Sequence, residues 1–303
     1  TASRIPSNTF GTANSLFDTD CQPHFETGAS VISDHAAPDA ETVCRLIYDL
    51  PGRSGLDNMS LDSALLERGI AHAECWLRFY TWAQPTLSLG HFQQTDDLPA
   101  GLEWTGVPWV RRLSGGGAIL HDQELTYSLV IPVQHPWASQ PRQIYDHVHA
   151  VIVQFLSEQG VPIAFRGRTD SSVASEFLCF GRGDAFDLVI GSDKIVGSAQ
   201  RRRKGVILQH GSLILDSSPR TPQFPGLNAC RTAENSLRPD RLALELGTRL
   251  APQLGLVQLL SEFPAEIQAR VAGLRSEIDH GEMLPASGKE PGSRFSTAPD
   301  DPG

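Results

Sequence analysis

From Cys44 onward the apolar positions fall into short runs, some at strand spacing and some at helical spacing. Residues 45–48 (Arg-Leu-Ile-Tyr) predict a strand, and Pro51-Gly52-Arg53-Ser54-Gly55 predicts a turn. Asn58 stands where a helix cap belongs, and Met59, Leu61, Leu65 and Leu66 make the apolar side of a helix reaching about Arg68. Residues 76–82 alternate as a strand does, 86–90 form a short second strand, and 107–110 form a third that enters a glycine cluster. Residues 118–120 and 125–133 predict a hairpin. Residues 144–159 read as an amphipathic helix, with Ile144, Val148, Val151, Ile152 and Phe155 on one side and Gly160 as its stop. Beyond it, 161–166 predict a strand, and 186–190 with 194–199 a hairpin about Gly191-Ser192-Asp193. Residues 206–208 and 212–215 predict a further hairpin, and two helices follow over 238–254 and 264–279.

Hairpins are frequent and strict βαβ alternation is absent, which argues against an open parallel sheet. The expected fold class is α+β, a mixed, largely antiparallel β-sheet flanked by helices. Residues 1–42 are rich in Ser, Thr, Asp, Ala and Pro without periodicity and predict a flexible N-terminal arm. The ordered domain is expected over 43–282, with its helices at the C-terminal end, and a disordered tail over 283–303.

Length and charge narrow the function. A chain of 303 residues is long enough for a full hydrophobic core. A net charge of −10 argues against nucleic acid as partner, although Arg111-Arg112 and residues 201–204 (Arg-Arg-Arg-Lys) are local basic clusters. No apolar run reaches the length of a membrane span, and the N-terminal residues lack a signal-peptide pattern. Five cysteines, widely spaced and without a CxxC pair, fit neither a disulfide scaffold nor a zinc ribbon. A cytoplasmic monomer without a metal site is expected.

Four segments carry candidate chemistry. Arg111-Arg112-Leu113-Ser114-Gly115-Gly116-Gly117 lets a backbone turn sharply and lets an extended ligand lie against the main chain, with two arginines able to hold phosphate or carboxylate. Lys194, among small and apolar residues up to Gly197-Ser198-Ala199, would need a polarised carbonyl or an anion if it points inward. Cys179, beside the glycine-rich Gly181-Arg182-Gly183, is a candidate thiolate nucleophile for acyl transfer. His210, in Gln209-His210-Gly211, could carry a proton or orient a ligand, and His121 is similar. Taken alone, each also has an ordinary reading: a plain turn, a solvated lysine, a buried structural thiol, a hydrogen-bonded strand-end imidazole. His147 and His149 lie two apart on a predicted helix and point to different faces, so they are no metal pair.

The order and spacing of these segments are more specific than any one of them. Asn58-Met59-x-Leu61-Asp62, RFYTWAQPTLSLGHFQ from Arg78, RRLSGGGAILHD from Arg111, KIVGSAQRR from Lys194 and LQHGSL from Leu208 together resemble the biotin/lipoate protein ligase family over about residues 44–226. The resemblance implies a catalytic domain like those of class II synthetases and biotin ligases. It implies a groove for a lipoyl, octanoyl or biotinyl chain between the glycine loop and the lysine strand. Lys194 matches the lysine that contacts the acyl carbonyl. Arg111, Arg112, Ser114, Gly115, Gly116, Gly117, His121, Gly197, Ser198, Ala199, Gln209, His210 and Gly211 are then expected to bind acyl substrate.

Two chemistries compete within the family. Lipoate–protein ligases activate the acid with ATP and Mg²⁺ as an acyl-adenylate; octanoyltransferases pass an octanoyl group from acyl carrier protein through a cysteine thioester. The segment from Ala118 to Ser128 lacks the Gly-Asn of ligases. Cys179 stands upstream of Lys194 as in the single-cysteine octanoyltransferase branch, and residues 204–212 also resemble that branch. Ser114 and Gly117 are more ligase-like. The resemblance therefore implies a cofactor-free octanoyltransferase with Cys179 and Lys194 as catalytic residues. Its donor would be acyl carrier protein, and its acceptor a lipoyl domain or a glycine-cleavage H-type protein. An ATP-dependent lipoate ligase and a non-catalytic acyl-binding relative are the alternatives.

Overall fold

The computed structural model describes residues 42–99, 101, 104–167, 178 and 183–282, all within the unit Ala36–Gly303. The expected arm, but for residue 42, and the expected tail lie outside the described residues, as does Cys179.

The elements run β1 (Val43–Arg53), α1 (Gly55–Ala71), β2 (Cys75–Trp82), β3 (Thr86–Leu89), β4 (Pro108–Arg111), β5 (Ile119–His121) and β6 (Glu124–Ile131). They continue with α2 (Pro141–Glu158), β7 (Ile163–Phe165), β8 (Leu188–Ile190), β9 (Asp193–Arg203) and β10 (Val206–Ile214). The last are α3 (Pro239–Leu254), β11 (Leu256–Leu260), α4 (Ala265–Leu274) and β12 (His280–Glu282). Eight strands form one sheet in the order β11-β1-β2-β6-β10-β9-β8-β7, and four form a second in the order β12-β4-β3-β5. β1 runs parallel to both β2 and β11, and β3 parallel to β4; the other pairings are antiparallel. This is the mixed α+β fold expected. α2 and α3 pack on one face of the large sheet, α1 and α4 on the other. β6 is buried along its whole length, as a central strand covered on both faces must be.

Three expectations are corrected. α1 is capped by Ser54, whose Oγ accepts from the Asp57 N–H at 3.1 Å; Asn58 lies inside the helix, fully buried, and of the residues expected as a turn 51–53 finish β1 and Gly55 opens α1. The two segments around His121 are consecutive but do not form a hairpin: β5 pairs with β3 in the small sheet and β6 with β2 and β10 in the large one. Finally, 206–215 is not a hairpin. β10 runs unbroken through Gln209-His210-Gly211, and its partner is β9, joined by the two-residue turn Lys204-Gly205 with φ of 50° and 85°. Gly211 marks a close approach rather than a turn, since a Cβ there would stand 2.3 Å from Ser198 Oγ and 2.4 Å from the Tyr127 ring.

One buried ionic group ties the layers together. Arg78 of β2 is fully buried, with Nη2 2.8 Å from Asp49 Oδ2 of β1 and Nη1 3.2 Å from Asp62 Oδ1 of α1. It also donates to Asn58 and lies 3.8 Å from the centre of the Tyr80 ring. This guanidinium is the cation common to two carboxylates out of water; Asp49 also pairs with Arg53 Nε at 2.7 Å. Arg78→Leu should therefore cost about 3–5 kcal/mol of folding stability, read from the urea midpoint and slope; a loss under about 1 kcal/mol, typical of an exposed pair, would refute this role.

Candidate active site

A cavity of about 440 Å³ opens over the faces of β6, β10 and β9. Met59, Tyr80, Trp82 and Ile119 give it an apolar wall; Arg112, Gly116 and His121 line the glycine-loop side. Lys194, Gly197, Ser198 and Ala199 of β9 line another side with His210, Gly211 and Ser212 of β10. Arg142 and Tyr145 of α2 and Asp184, Phe186 and Asp187 ahead of β8 complete the described lining.

Lys194 reaches this cavity because β9 is bulged. Its register slips between Val189↔Lys194 and Leu188↔Val196, which inserts Ile195 as an extra residue. Residues three apart on a regular strand face opposite ways, but the bulge brings Lys194 and Gly197 to one face. The lysine stem lies where a side chain at 197 would be: a Cβ there would sit 2.5 Å from Lys194 Cε and 2.9 Å from Nζ. The buried Nζ is 2.9 Å from Asp187 Oδ1, and Asp187 Oδ2 accepts from the Asp184 N–H at 2.7 Å. Burial pushes the Asp187 carboxyl up, although Lys194 pulls it back.

The glycine run is held from within. Arg112 Nη2 donates to the Gly115 and Gly117 carbonyls at 2.8 and 2.7 Å, and Nη1 to the Ser88 carbonyl at 2.8 Å. Gly116 turns there with φ of 91°. Ser114 is fully buried and hydrogen-bonded to His210 Nε2, whose Nδ1 is 3.2 Å from Asp62 Oδ2. A second row of the same kind runs Glu124 to His121 Nδ1 at 2.7 Å and His121 Nε2 to Ser88 Oγ at 2.7 Å, with His121 stacked on Trp82 at 3.9 Å. Both rows look like nucleophile triads, but Ser114 and Ser88 have no exposed surface and do not line the cavity. They hold its wall.

Of the sequence-predicted residues, the structure brings Arg112, Gly116, His121, Lys194, Gly197, Ser198, Ala199, His210 and Gly211 to the cavity. Ser114, Gly115, Gly117 and Gln209 are not part of that lining. Arg111 is turned to Asp279 at 2.9 Å and to the Gly90 and Gln93 carbonyls. Cys179 lies outside the described residues; Leu178, to which it is bonded, pairs with Ala118 at the end of the glycine run. Sequence reasoning missed Asp187, Tyr145, Tyr127 and Glu124. It set His149 aside as half of a discarded metal pair, yet His149 borders the Val148–Ile152 stripe of α2 and is fully buried. Among the described residues no group of three His, Cys, Asp or Glu could hold a metal ion, and no helix is long and apolar enough to cross a membrane.

Residues 54–236 match the lipoyl protein ligase A/B catalytic domain, more than half of the chain, and the chain belongs to that family. It is 41% identical over 168 residues to the octanoyltransferase LipM of Moorella thermoacetica, covering 52% of this chain and 60% of that one. It is 39% identical over 176 residues to the octanoyltransferase LipM of Geobacillus kaustophilus, covering 52% and 61%. The chain thus spans about 60% of the length of these curated relatives. A bipartite lipoate protein ligase from Thermoplasma acidophilum, solved with its E2 lipoyl domain, shares the fold at 16% identity, with a TM-score of 0.56 over 78% of this chain and 93% of that one.

Two outcomes follow from this geometry. Gly197→Ala should displace Lys194, whose flexible stem can yield without unfolding the strand. Turnover should fall about 10- to 100-fold while the melting temperature moves little; unchanged turnover would show that the lysine position is immaterial. The second concerns pH. Burial alone would raise Asp62 and Glu124, but the His210 hydrogen bond and the Arg78 charge on the first, and His121 with two hydroxyls on the second, hold both below the usual range. Folded-state values below the unfolded ones give stability that is complete above about pH 4 and is lost as pH falls through the depressed values. Asp187, raised by burial, acts in the opposite sense. Asp62→Asn with Glu124→Gln should flatten the acid limb of stability between about pH 5 and 2, measured by urea titration at each pH; an equally steep limb would exclude these carboxylates as its source.

Proposed function

We propose that the chain transfers an octanoyl group from acyl carrier protein to a lysine of a lipoyl domain or a glycine-cleavage H-type protein, through a thioester on Cys179. The observation that carries this reading is the pairing of Leu178 with Ala118, which joins the residue before Cys179 to the glycine run bordering the Lys194 cavity. The names of the relatives, octanoyltransferases at about 40% identity, support it. A linear acyl chain suits the wall of Met59, Tyr80, Trp82 and Ile119, at roughly 0.8 kcal/mol per methylene buried. The Lys194 ammonium, oriented by Asp187, meets the acyl carbonyl and stabilises the developing oxyanion.

Thioester to amide is downhill, so neither ATP nor a metal is required. The reaction belongs in a reducing cytoplasm, where the thiol stays available, and one copy of the chain suffices. The exposed Arg202, Arg203 and Lys204 at the β9–β10 turn would steer acidic carrier and acceptor domains. Mixing the protein with octanoyl-acyl carrier protein and recording its intact mass tests the reading. An octanoyl adduct is expected on the wild type and not on Cys179→Ala. Activity that needs ATP and survives Cys179→Ala would instead make the chain a lipoate ligase.

A further inference from the structure

A row of hydrogen bonds runs through the large sheet and ends at the cavity wall, and its direction can be worked out. Gln200 Nε2 is 2.7 Å from the Pro141 carbonyl and 2.7 Å from Gln209 Oε1. A carbonyl only accepts, so Gln200 donates to both. Gln209 Nε2 then donates to the Tyr127 hydroxyl at 2.7 Å, and that hydroxyl is 2.7 Å from Ser198 Oγ. Ser198 Oγ is 2.7 Å from His149 Nε2, and His149 Nδ1 is 2.6 Å from the Phe186 carbonyl. That second carbonyl requires the Nδ1 proton. Burial pushes His149 down to about 4, with the Lys194 charge adding to it and the Phe186 carbonyl opposing, so Nε2 is bare and accepts from Ser198. Tyr127, receiving from Gln209, gives its own hydrogen to Ser198. Both hydroxyl hydrogens of the row and the imidazole hydrogen are committed.

Ser198 is half-buried and lines the cavity, unlike Ser88 and Ser114. Its hydrogen is spent on His149 and one lone pair on Tyr127, so what remains facing the cavity is an acceptor. An acyl carbonyl brings only lone pairs and gains nothing there; it belongs with the Lys194 ammonium. An amine brings N–H groups. We infer that Ser198 seats the incoming lysine of the acceptor protein: its Oγ takes one N–H of the ε-amine and turns the nitrogen lone pair toward the thioester carbon. This rests on the octanoyl-transfer reading. In the step so arranged the C–N bond forms, the C–S bond breaks, and the proton released by nitrogen ends on the cysteine sulfur, regenerating the thiol.

The test is single-turnover kinetics on the full chain. Octanoyl-acyl carrier protein is added first and the acyl-enzyme followed by intact mass; a lipoyl domain is added next and amide formation followed. In Ser198→Ala, aminolysis should fall about 10- to 100-fold further than acylation does, and more of the acyl-enzyme should be lost to water as free octanoate. Tyr127→Phe disturbs the same row but leaves the acceptor oxygen in place, so its ratio of the two rates should match that of the wild type. The inference is overturned if Ser198→Ala slows both half-reactions together or slows neither, or if Tyr127→Phe shows the same selective loss. If the wild type forms no adduct at all, it is the transfer reading that fails, and this one with it.

Discussion

The buried guanidinium of Arg78 is the interaction on which the cavity depends. It pairs with Asp49 on β1 and Asp62 on α1, so two buried carboxylates share one cation. Asp62 in turn holds His210, and His210 holds Ser114 at the head of the glycine run. Three strands, a helix and a loop thus share one chain of polar contacts. The wall nearest the chemistry is positioned by charge pairing two contacts away rather than by apolar packing, which fixes position less sharply.

On the opposite wall, position comes from backbone irregularity. The extra residue at Ile195 turns Lys194 onto the face of Gly197, and the missing side chain at 197 leaves the stem its place. Asp187 then holds the ammonium from the loop ahead of β8. A straight strand with any larger residue at 197 would bury the lysine uselessly or expel it.

Much of this was legible in the sequence. The strand and helix runs from Cys44 to Leu254 register their apolar sides plainly, and the glycine and lysine segments were found where the cavity lies; β11, whose apolar residues are mostly exposed, gives no such signal. What was not legible depends on pairing between distant segments. Nothing local shows that residues 119–121 leave the sheet that 124–131 enter, because the alternation is the same in either sheet. A glycine inside β10 mimics a turn until Ser198 and Tyr127 are seen pressing on it. Arg111 and Arg112 are neighbours with one composition and two fates, decided by strand alternation: Arg112 turns inward under the glycine carbonyls and Arg111 outward to Asp279. Asp62 carried a detectable signal, an acid among Met59, Leu61, Leu65 and Leu66, since such a residue needs a buried partner.

The cavity is also divided by hydrogen-bond polarity, and this bears on what one fold can do. Lys194 presents a donor, suited to the oxygen of an acyl group, while the Arg112 guanidinium is spent on the glycine-run and Ser88 carbonyls. The Tyr127–Ser198–His149 row presents an acceptor, suited to an amine. Acyl transfer to lysine calls for a donor to the acyl oxygen and an acceptor for the amine about the same carbon, whichever way the acyl group was activated beforehand. On the proposed reading, a site so divided would suit the amide-forming step for an acyl-thioester and for an acyl-adenylate alike. The difference between the two chemistries must then lie in the groups that deliver the activated acyl chain, and in this chain the glycine run and the segment leading to Cys179 are where those groups would stand.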